Sequence, residues 1–522
     1  MRLITNVMYH KSPMLKPVIA VLLLLLTFNT YAQKKPAFPS AQPESEGVSS
    51  VAIDSFVNAA SNFREMHSFM FLRHGKIIAQ GWWKPYGPTL KHSMYSCSKS
   101  FTSTAVGFAV SEHRLSVNDK VISFFPKLLP DTVSPYLAQL TIKDLLTMSV
   151  GQATDPTSVI PYASDVWVKA FLARPIAYKP GSKFLYNTLA TYTLSAIVQK
   201  VTGQRVFDYL QPRLFKPLGI KGIDWEVSNE GINTGGFGLR LKTEDMAKMG
   251  ELYLHKGMWH GRQIIPKAWV EEATTFKIDQ APDAPQSKKD SSDWMQGYCY
   301  QFWRCRHNAF RGDGAYGQFI VVMPKQDAVV IMTAESSDMQ AQLNLVWKYL
   351  LPAMHQHTLP ANNAAAISLK QRLAALRLSP LSNAGEPKVN INNEKFAMQP
   401  NVLNIKSIAF SADNNTCHIT LQKDSSTYTI GFNTGQWFLG KTDMQGPSNL
   451  MAAHEDFSFL KPYKVAGSYG WTDSQTLQFN LRYIESPHSE TIICHFNGDK
   501  LVADIQYSHN KKIVELTGDL IK

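Results

Sequence analysis

The chain has 522 residues, enough for two or three domains, and its 44% apolar content can fill a large core. Its formal net charge of +12 carries no run of lysine and arginine, so it describes a basic surface and gives no footprint for nucleic acid. Neither the five cysteines nor the histidines, His355-Gln356-His357 included, follow a metal-ligand spacing, so no metal site is expected.

Lys16 precedes an apolar run over residues 18–26, and Thr30-Tyr31-Ala32 offers small residues where a signal peptidase reads. This predicts a signal peptide over 1–32, with Met14 as an alternative start, and an exported protein, periplasmic or secreted. The run is about half the ~20 residues a bilayer span needs, so no stable transmembrane segment is expected after cleavage. Residues 33–50, rich in Pro, Ser and Gln, read as a tether. A helix over 51–63 and strands over 68–73 and 77–83 follow, the strands joined by a hairpin at His74-Gly75-Lys76.

The next stretch, residues 92–103, contains Ser96 and Lys99 as Ser-x-x-Lys, then an apolar helical pattern at Phe101, Ala105 and Phe108. On a helix, residues three apart share a face, so the Lys99 amine reaches the Ser96 hydroxyl. A serine hydroxyl needs a neighbouring base to become a nucleophile, and a lysine serves only if its pKa is lowered. The spacing alone is weak, since Ser458 to Lys461 repeats it, with Pro462 opposing a helix there.

The surrounding residues carry more weight. Tyr95-Ser96-Cys97-Ser98-Lys99-Ser100-Phe101-Thr102-Ser103 resembles the nucleophile helix of the serine β-lactamase and penicillin-binding-protein superfamily, in its class C-like branch. Stretches at 119–126 and 140–147 resemble structural landmarks of the same superfamily. Residues 164–258 read as mostly helical, with 238–245 resembling the return from the family's helical lobe. His255-Lys256-Gly257 matches a His-x-Gly motif only formally, because Gly257 sits where a helix should end.

Strands are predicted over 298–304, 318–323 and 328–333, and an amphipathic helix over 339–351. The fold class is therefore α+β. Both ends of residues 51–355 build one β-lactamase-like antiparallel sheet flanked by helices, with a helical lobe inserted, and an all-β domain follows. Residues 356–388 read as a linker. Residues 389–522 alternate in short strands that suggest a small sandwich or barrel of unknown ligand. Cys417 and Cys494 either pair there or stay as buried thiols, while Cys299 and Cys305 lie too far along one strand to bridge.

The resemblance implies further site residues. Tyr186 and Thr188, after the Pro180-Gly181 turn, occupy the family's Tyr-x-Asn or Tyr-x-Ser positions, with threonine as a departure. Tyr186 would carry the proton, which as a base requires its pKa to fall. The third motif departs further: Arg311 to Gln318 lacks the usual lysine or histidine and resembles the compressed Gly-x-x-Gly-Gln form of nylon-oligomer hydrolases and related esterases. There Gly314 permits close approach, and the Ala315 N–H would pair with that of Ser96 as an oxyanion hole, unless the segment is simply a tight turn. Arg311 is a candidate to replace the missing cation. Tyr95, Tyr298, Trp303 and Tyr316 are candidate cleft walls.

These features imply an exported serine hydrolase cleaving an amide or ester through a Ser96 acyl-enzyme, with Lys99 and Tyr186 as base and acid. The substrate would be a small-molecule or peptide-like acyl compound, and neither cofactor nor metal is needed. A β-lactamase or D,D-peptidase, and a non-catalytic cell-envelope binding protein of the same fold, remain open alternatives.

Overall fold

Four apolar residues at i, i+3, i+4 and i+7, namely Ile53, Phe56, Val57 and Ala60, form the buried face of α1 (Ser50–Phe63). Burying each of the three larger ones contributes about 1.5–3 kcal/mol. The Glu44 carboxylate holds the start of α1, accepting the Ser50 N–H at 2.8 Å and its hydroxyl at 2.9 Å. That places an anion at the positive end of the helix. β1 (Glu65–Arg73) and β2 (Lys76–Trp82) then form a hairpin whose turn residues His74 and Gly75 both take positive φ, 50° and 69°. This turn geometry matches the twist of the paired strands. The structure, a computed structural model, describes residues 37–63, 65–158, 166–413, 415–447 and 461–521. The predicted signal peptide and Ser458 lie outside the described residues.

A six-stranded antiparallel sheet is completed from the far end of the same domain by β3 (Trp303–Arg304), β4 (Phe310–Gly314), β5 (Gln318–Met323) and β6 (Ala328–Glu335), in the order β2-β1-β6-β5-β4-β3. The last strand returns beside the first, with Phe69 opposite Met332 and Phe71 opposite Val330. β1, β5 and β6 are buried on both faces, so they read as continuous apolar runs rather than alternating ones. On one face α1 packs with Leu343, Val346 and Leu350, from the helix that begins as Met339–Leu345. On the other face lie α2 (Ser98–Ser111) and, after the mostly helical insertion that holds α3 (Thr188–Thr202), α4 (Thr243–Leu254). Gly250 brings α4 close to the sheet: a Cβ there would fall 2.6 Å from Val329 and 3.1 Å from Ile320.

Three expectations need correction. The predicted strand over 298–304 shrinks to β3, because Gln301 takes φ 65° and turns its buried amide to the carbonyls of Leu145 (3.2 Å) and Leu146 (2.9 Å). Much of the predicted tether is folded. The Ala41 N–H donates to Ile77 O at 3.0 Å, and the buried Glu46 carboxylate takes His74 at 3.0 Å and Lys76 at 2.7 Å. The predicted linker, whose sequence already holds a short helix, packs against the domain instead of hanging free: its helix α5 (Asn363–Ala375) covers β2 so closely that a Cβ on Gly81 would fall 3.1 Å from Leu373. Composition hides such contacts, since each depends on a partner distant in sequence.

The C-terminal domain is a barrel of ten strands, from Lys395–Met398 to Ile513–Leu520. Neighbours pair antiparallel, and Asn433 of Ser426–Asn433 meets Ser468 of Tyr463–Trp471 in parallel to close it. Inward residues alternate along the strands, as Ile492, Cys494 and Phe496 do in Ser489–Asn497. Phe410, Phe432, Phe479 and Phe496 meet inside at centroid distances of 5.0–6.1 Å, so aromatic rings fill the interior. Cys417 and Cys494 stay as buried thiols, and all five cysteines are free.

Candidate active site

Ser96 sits in a 3₁₀ turn, Tyr95–Cys97, that leads directly into α2. Lys99, three residues on in the first turn of α2, falls on the same face as Ser96. The Lys99 amine donates to Ser96 Oγ at 3.0 Å, to Thr188 Oγ1 at 3.2 Å and to Gly236 O at 2.8 Å. Lys99 is 1% exposed. Burial lowers its pKa to about 7, against the opposing pull of the Asp155 and Asp313 carboxylates. A lysine in that state is a usable base near neutral pH.

Tyr186 comes from the turn before α3 and lies beside Ser96, close enough for the serine hydroxyl to act on its phenol, and the Lys99 amine lies 4.9 Å from the centre of its ring. The three side chains therefore meet in one small volume. Burial raises the Tyr186 phenol above its ordinary pKa, although the neighbouring Ser96 hydroxyl pulls the other way. This corrects the expectation of a lowered tyrosine. The nearby amine is itself driven toward neutrality, so it offers little positive charge to stabilise a phenolate. Trp303 stacks on Tyr186 at 5.6 Å and Tyr298 meets it edge-on at 6.3 Å, so both buried rings support Tyr186 from behind rather than forming open walls.

Gly314 ends β4 against the turn that carries Ser96: a Cβ there would lie 2.2 Å from Met94 O and 3.3 Å from Cys97 N. Only glycine allows this approach, which puts the partly exposed Ala315 next to the turn that carries Ser96. Arg311 goes elsewhere. It is 0% exposed and donates to Asp313 Oδ2 at 2.8 Å and to Asp293 O at 2.8 Å, with its guanidinium 4.3 Å from the Trp294 ring centre. It is a framework ion pair and does not replace the missing cation of the third motif.

No motif reading of the sequence points to Gly236, although its carbonyl accepts a hydrogen bond from the Lys99 amine. The run Asn233-Thr234-Gly235-Gly236-Phe237-Gly238 is the signal that marks it. A Cβ on Gly236 would fall 2.7 Å from the Thr188 methyl and 3.3 Å from the Lys99 amine, so the loop closes over that amine.

With this geometry in place, the sequence model of the Beta-lactamase family matches residues 60–350. The chain belongs to the Beta-lactamase family. It is a serine hydrolase of that superfamily. This β-lactamase-family chain is 23% identical over 288 residues to the 6-aminohexanoate-dimer hydrolase of Paenarthrobacter ureafaciens, covering 52% of the chain and 73% of that protein. It is 24% identical over 234 residues to a protein of Salmonella schwarzengrund named "Putative D-alanyl-D-alanine carboxypeptidase", covering 39% of the chain and 54% of that protein. A solved structure, "Putative 6-aminohexanoate-dimer hydrolase from Bacillus anthracis", superposes with a TM-score of 0.50 at 20% identity, over 62% of this chain and 89% of the other. Among the described residues, no helix is long and apolar enough to cross a membrane.

Proposed function

We propose that the protein is an exported hydrolase that cleaves an ester or amide bond through an acyl-enzyme on Ser96. One observation carries the reading: a buried lysine amine with its pKa lowered to about 7 stands 3.0 Å from the Ser96 hydroxyl. Neutral Lys99 takes the Ser96 proton as Oγ bonds to the substrate carbonyl carbon. Tyr186, a neutral phenol, passes a proton to the departing alcohol or amine and is re-protonated by the Lys99 ammonium, which holds the proton taken from Ser96. Water then enters by the reverse relay and releases the acid. The N–H groups of Ser96 and Ala315 hold the oxyanion, and Thr188 and the Gly236 carbonyl aim the amine. The commitment of Arg311 to Asp313 leaves the third motif without a cation for a substrate carboxylate, which favours an uncharged ester or amide over a β-lactam. Intact mass after incubation with an activated p-nitrophenyl ester tests this: one acyl adduct that maps to Ser96 and is absent in Ser96→Ala is the expected result. Ester turnover that survives in Ser96→Ala overturns the reading, and fast nitrocefin hydrolysis overturns the substrate preference.

A further inference from the structure

Two residues beside the proposed oxyanion donors have unusual backbones. Tyr95, immediately before Ser96, has φ 45°, and Tyr316, immediately after Ala315, has φ 64°. Left-handed conformations are uphill for tyrosine and persist only where the surroundings hold them. Both rings are held by the same side chain, and it comes from the barrel. His488, in the hairpin after the strand Thr476–Tyr483, is 0% exposed. Its Nε2 lies 2.5 Å from the Tyr95 hydroxyl, and its ring meets Tyr316 edge-on at 4.8 Å. The two tyrosine rings also meet each other, at 5.7 Å.

The imidazole is itself fixed. Its Nδ1 is 2.6 Å from Glu335 Oε1, and Glu335 ends β6 in the catalytic domain and also accepts the Ser508 hydroxyl at 2.6 Å. A carboxylate at Nδ1 holds the proton on that nitrogen, which leaves Nε2 to accept from the Tyr95 O–H. The chain Glu335–His488–Tyr95 thus runs from sheet to barrel hairpin to nucleophile turn. The barrel has other anchors on the same seam. Glu65 pairs with Arg482, the Ser93 N–H donates to Glu485 O at 3.1 Å, and the Tyr86 hydroxyl donates to Ser486 O at 3.2 Å. His488 is therefore not needed simply to dock the domain.

We propose that the barrel completes the active site, with His488 as a positioning residue that locks Tyr95 and Tyr316 and so sets the spacing of the Ser96 and Ala315 N–H groups. This rests on the reading of Ser96 as nucleophile. It assigns the C-terminal domain a part in turnover rather than a separate binding task. Small misplacements of reacting groups are costly, so the relay should matter for rate more than for affinity.

The test uses the full chain and measures single-turnover acylation of Ser96 by a p-nitrophenyl ester, with rate constant and apparent affinity separated. Adduct formation on Ser96 in the unaltered protein tests the functional reading; the variants test the relay. Tyr95→Phe removes one oxygen from a packed ring and should leave the melting temperature nearly unchanged while slowing acylation about tenfold or more, with apparent affinity within about twofold. His488→Ala should show the same rate loss, the double variant no further loss, and His488→Gln partial recovery. Tyr95→Phe acylating at the unaltered rate would overturn the proposal even if His488→Ala failed to fold. Losses that multiply in the double variant would overturn it as well.

Discussion

Lys99 and Arg311 are both buried almost completely, and the two cations live under opposite rules. Arg311 meets a carboxylate at 2.8 Å, a carbonyl at 2.8 Å and a tryptophan face. Its charge is matched and it stays charged. Lys99 meets two hydroxyls and one carbonyl, and among the described residues no carboxylate lies within ion-pair distance of it. Its charge is solvated by dipoles alone, so burial drives it toward neutrality. A buried cation given a counter-ion stays charged; one denied a counter-ion is driven toward the neutral form, the state that the proposed base needs. Asp313 makes the contrast sharp, because it is near enough to raise the Lys99 pKa but its side chain is bonded to Arg311.

Removing each cation should therefore break different things. Lys99→Met should slow acylation of Ser96 by about 10³-fold or more, since Tyr186, the other group beside the hydroxyl, has a raised pKa and is no base near neutral pH. The same change should stabilise the fold. With the folded pKa near 7 and the unfolded value 10.5, the unfolded chain binds more protons between those limits. Stability of the unaltered protein thus rises with pH across that window, and the penalty of burying Lys99 is fully present below pH 7. The gain from Lys99→Met should be greater at pH 6 than at pH 9, by about 3 kcal/mol, read from urea melts at both values. A gain independent of pH would show that Lys99 is not neutralised on folding.

Arg311→Met should act the other way round, destabilising by about 3–5 kcal/mol in the same melts because Asp313 loses its partner in a buried site. Any protein that remains folded should still be acylated on Ser96. Next in size is the pH dependence. In the unaltered protein the acylation rate constant should climb about tenfold per pH unit below about 7 and level off above it, as Lys99 loses its proton. A flat profile from pH 5.5 to 9, measured by stopped flow, would break the contrast between the two cations.

How much of this could be read in the chain follows from distance along it. Ser96 and Lys99 were legible because one turn of backbone sets their contact. The position of Tyr186 is legible because a Pro-Gly turn marks it, whereas the direction of its pKa shift comes from burial, and rings packed on it, Trp303 and Tyr298, lie more than a hundred residues further along. The sheet could be inferred from apolar strands at both ends of the domain. The aim of Arg311 could not, since alternation along a strand separates two faces without saying which one holds the substrate. Gly236 and His488 reach the turn from 137 residues after Lys99 and 393 residues after Tyr95. Such contacts exist only once the helical insertion and the barrel are in place.

The smallest expected effect concerns Thr188, the departure from Tyr-x-Asn and Tyr-x-Ser. Its hydroxyl accepts from the Lys99 amine at 3.2 Å, the task that an asparagine oxygen or a serine hydroxyl at this position would share. Thr188→Val keeps the shape and removes the acceptor. The charged amine loses one of its three partners, so its pKa falls further, by up to about one unit for a hydrogen bond to a charge. The acidic limb of the acylation profile should move to lower pH by that amount. The plateau should fall about fivefold, because the amine is held by two contacts rather than three. Thr188→Ser retains the acceptor and should keep both limb and plateau. If the valine variant instead titrates where the unaltered protein does, the hydroxyl contributes nothing to the state of the lysine, and the depressed pKa belongs to burial alone.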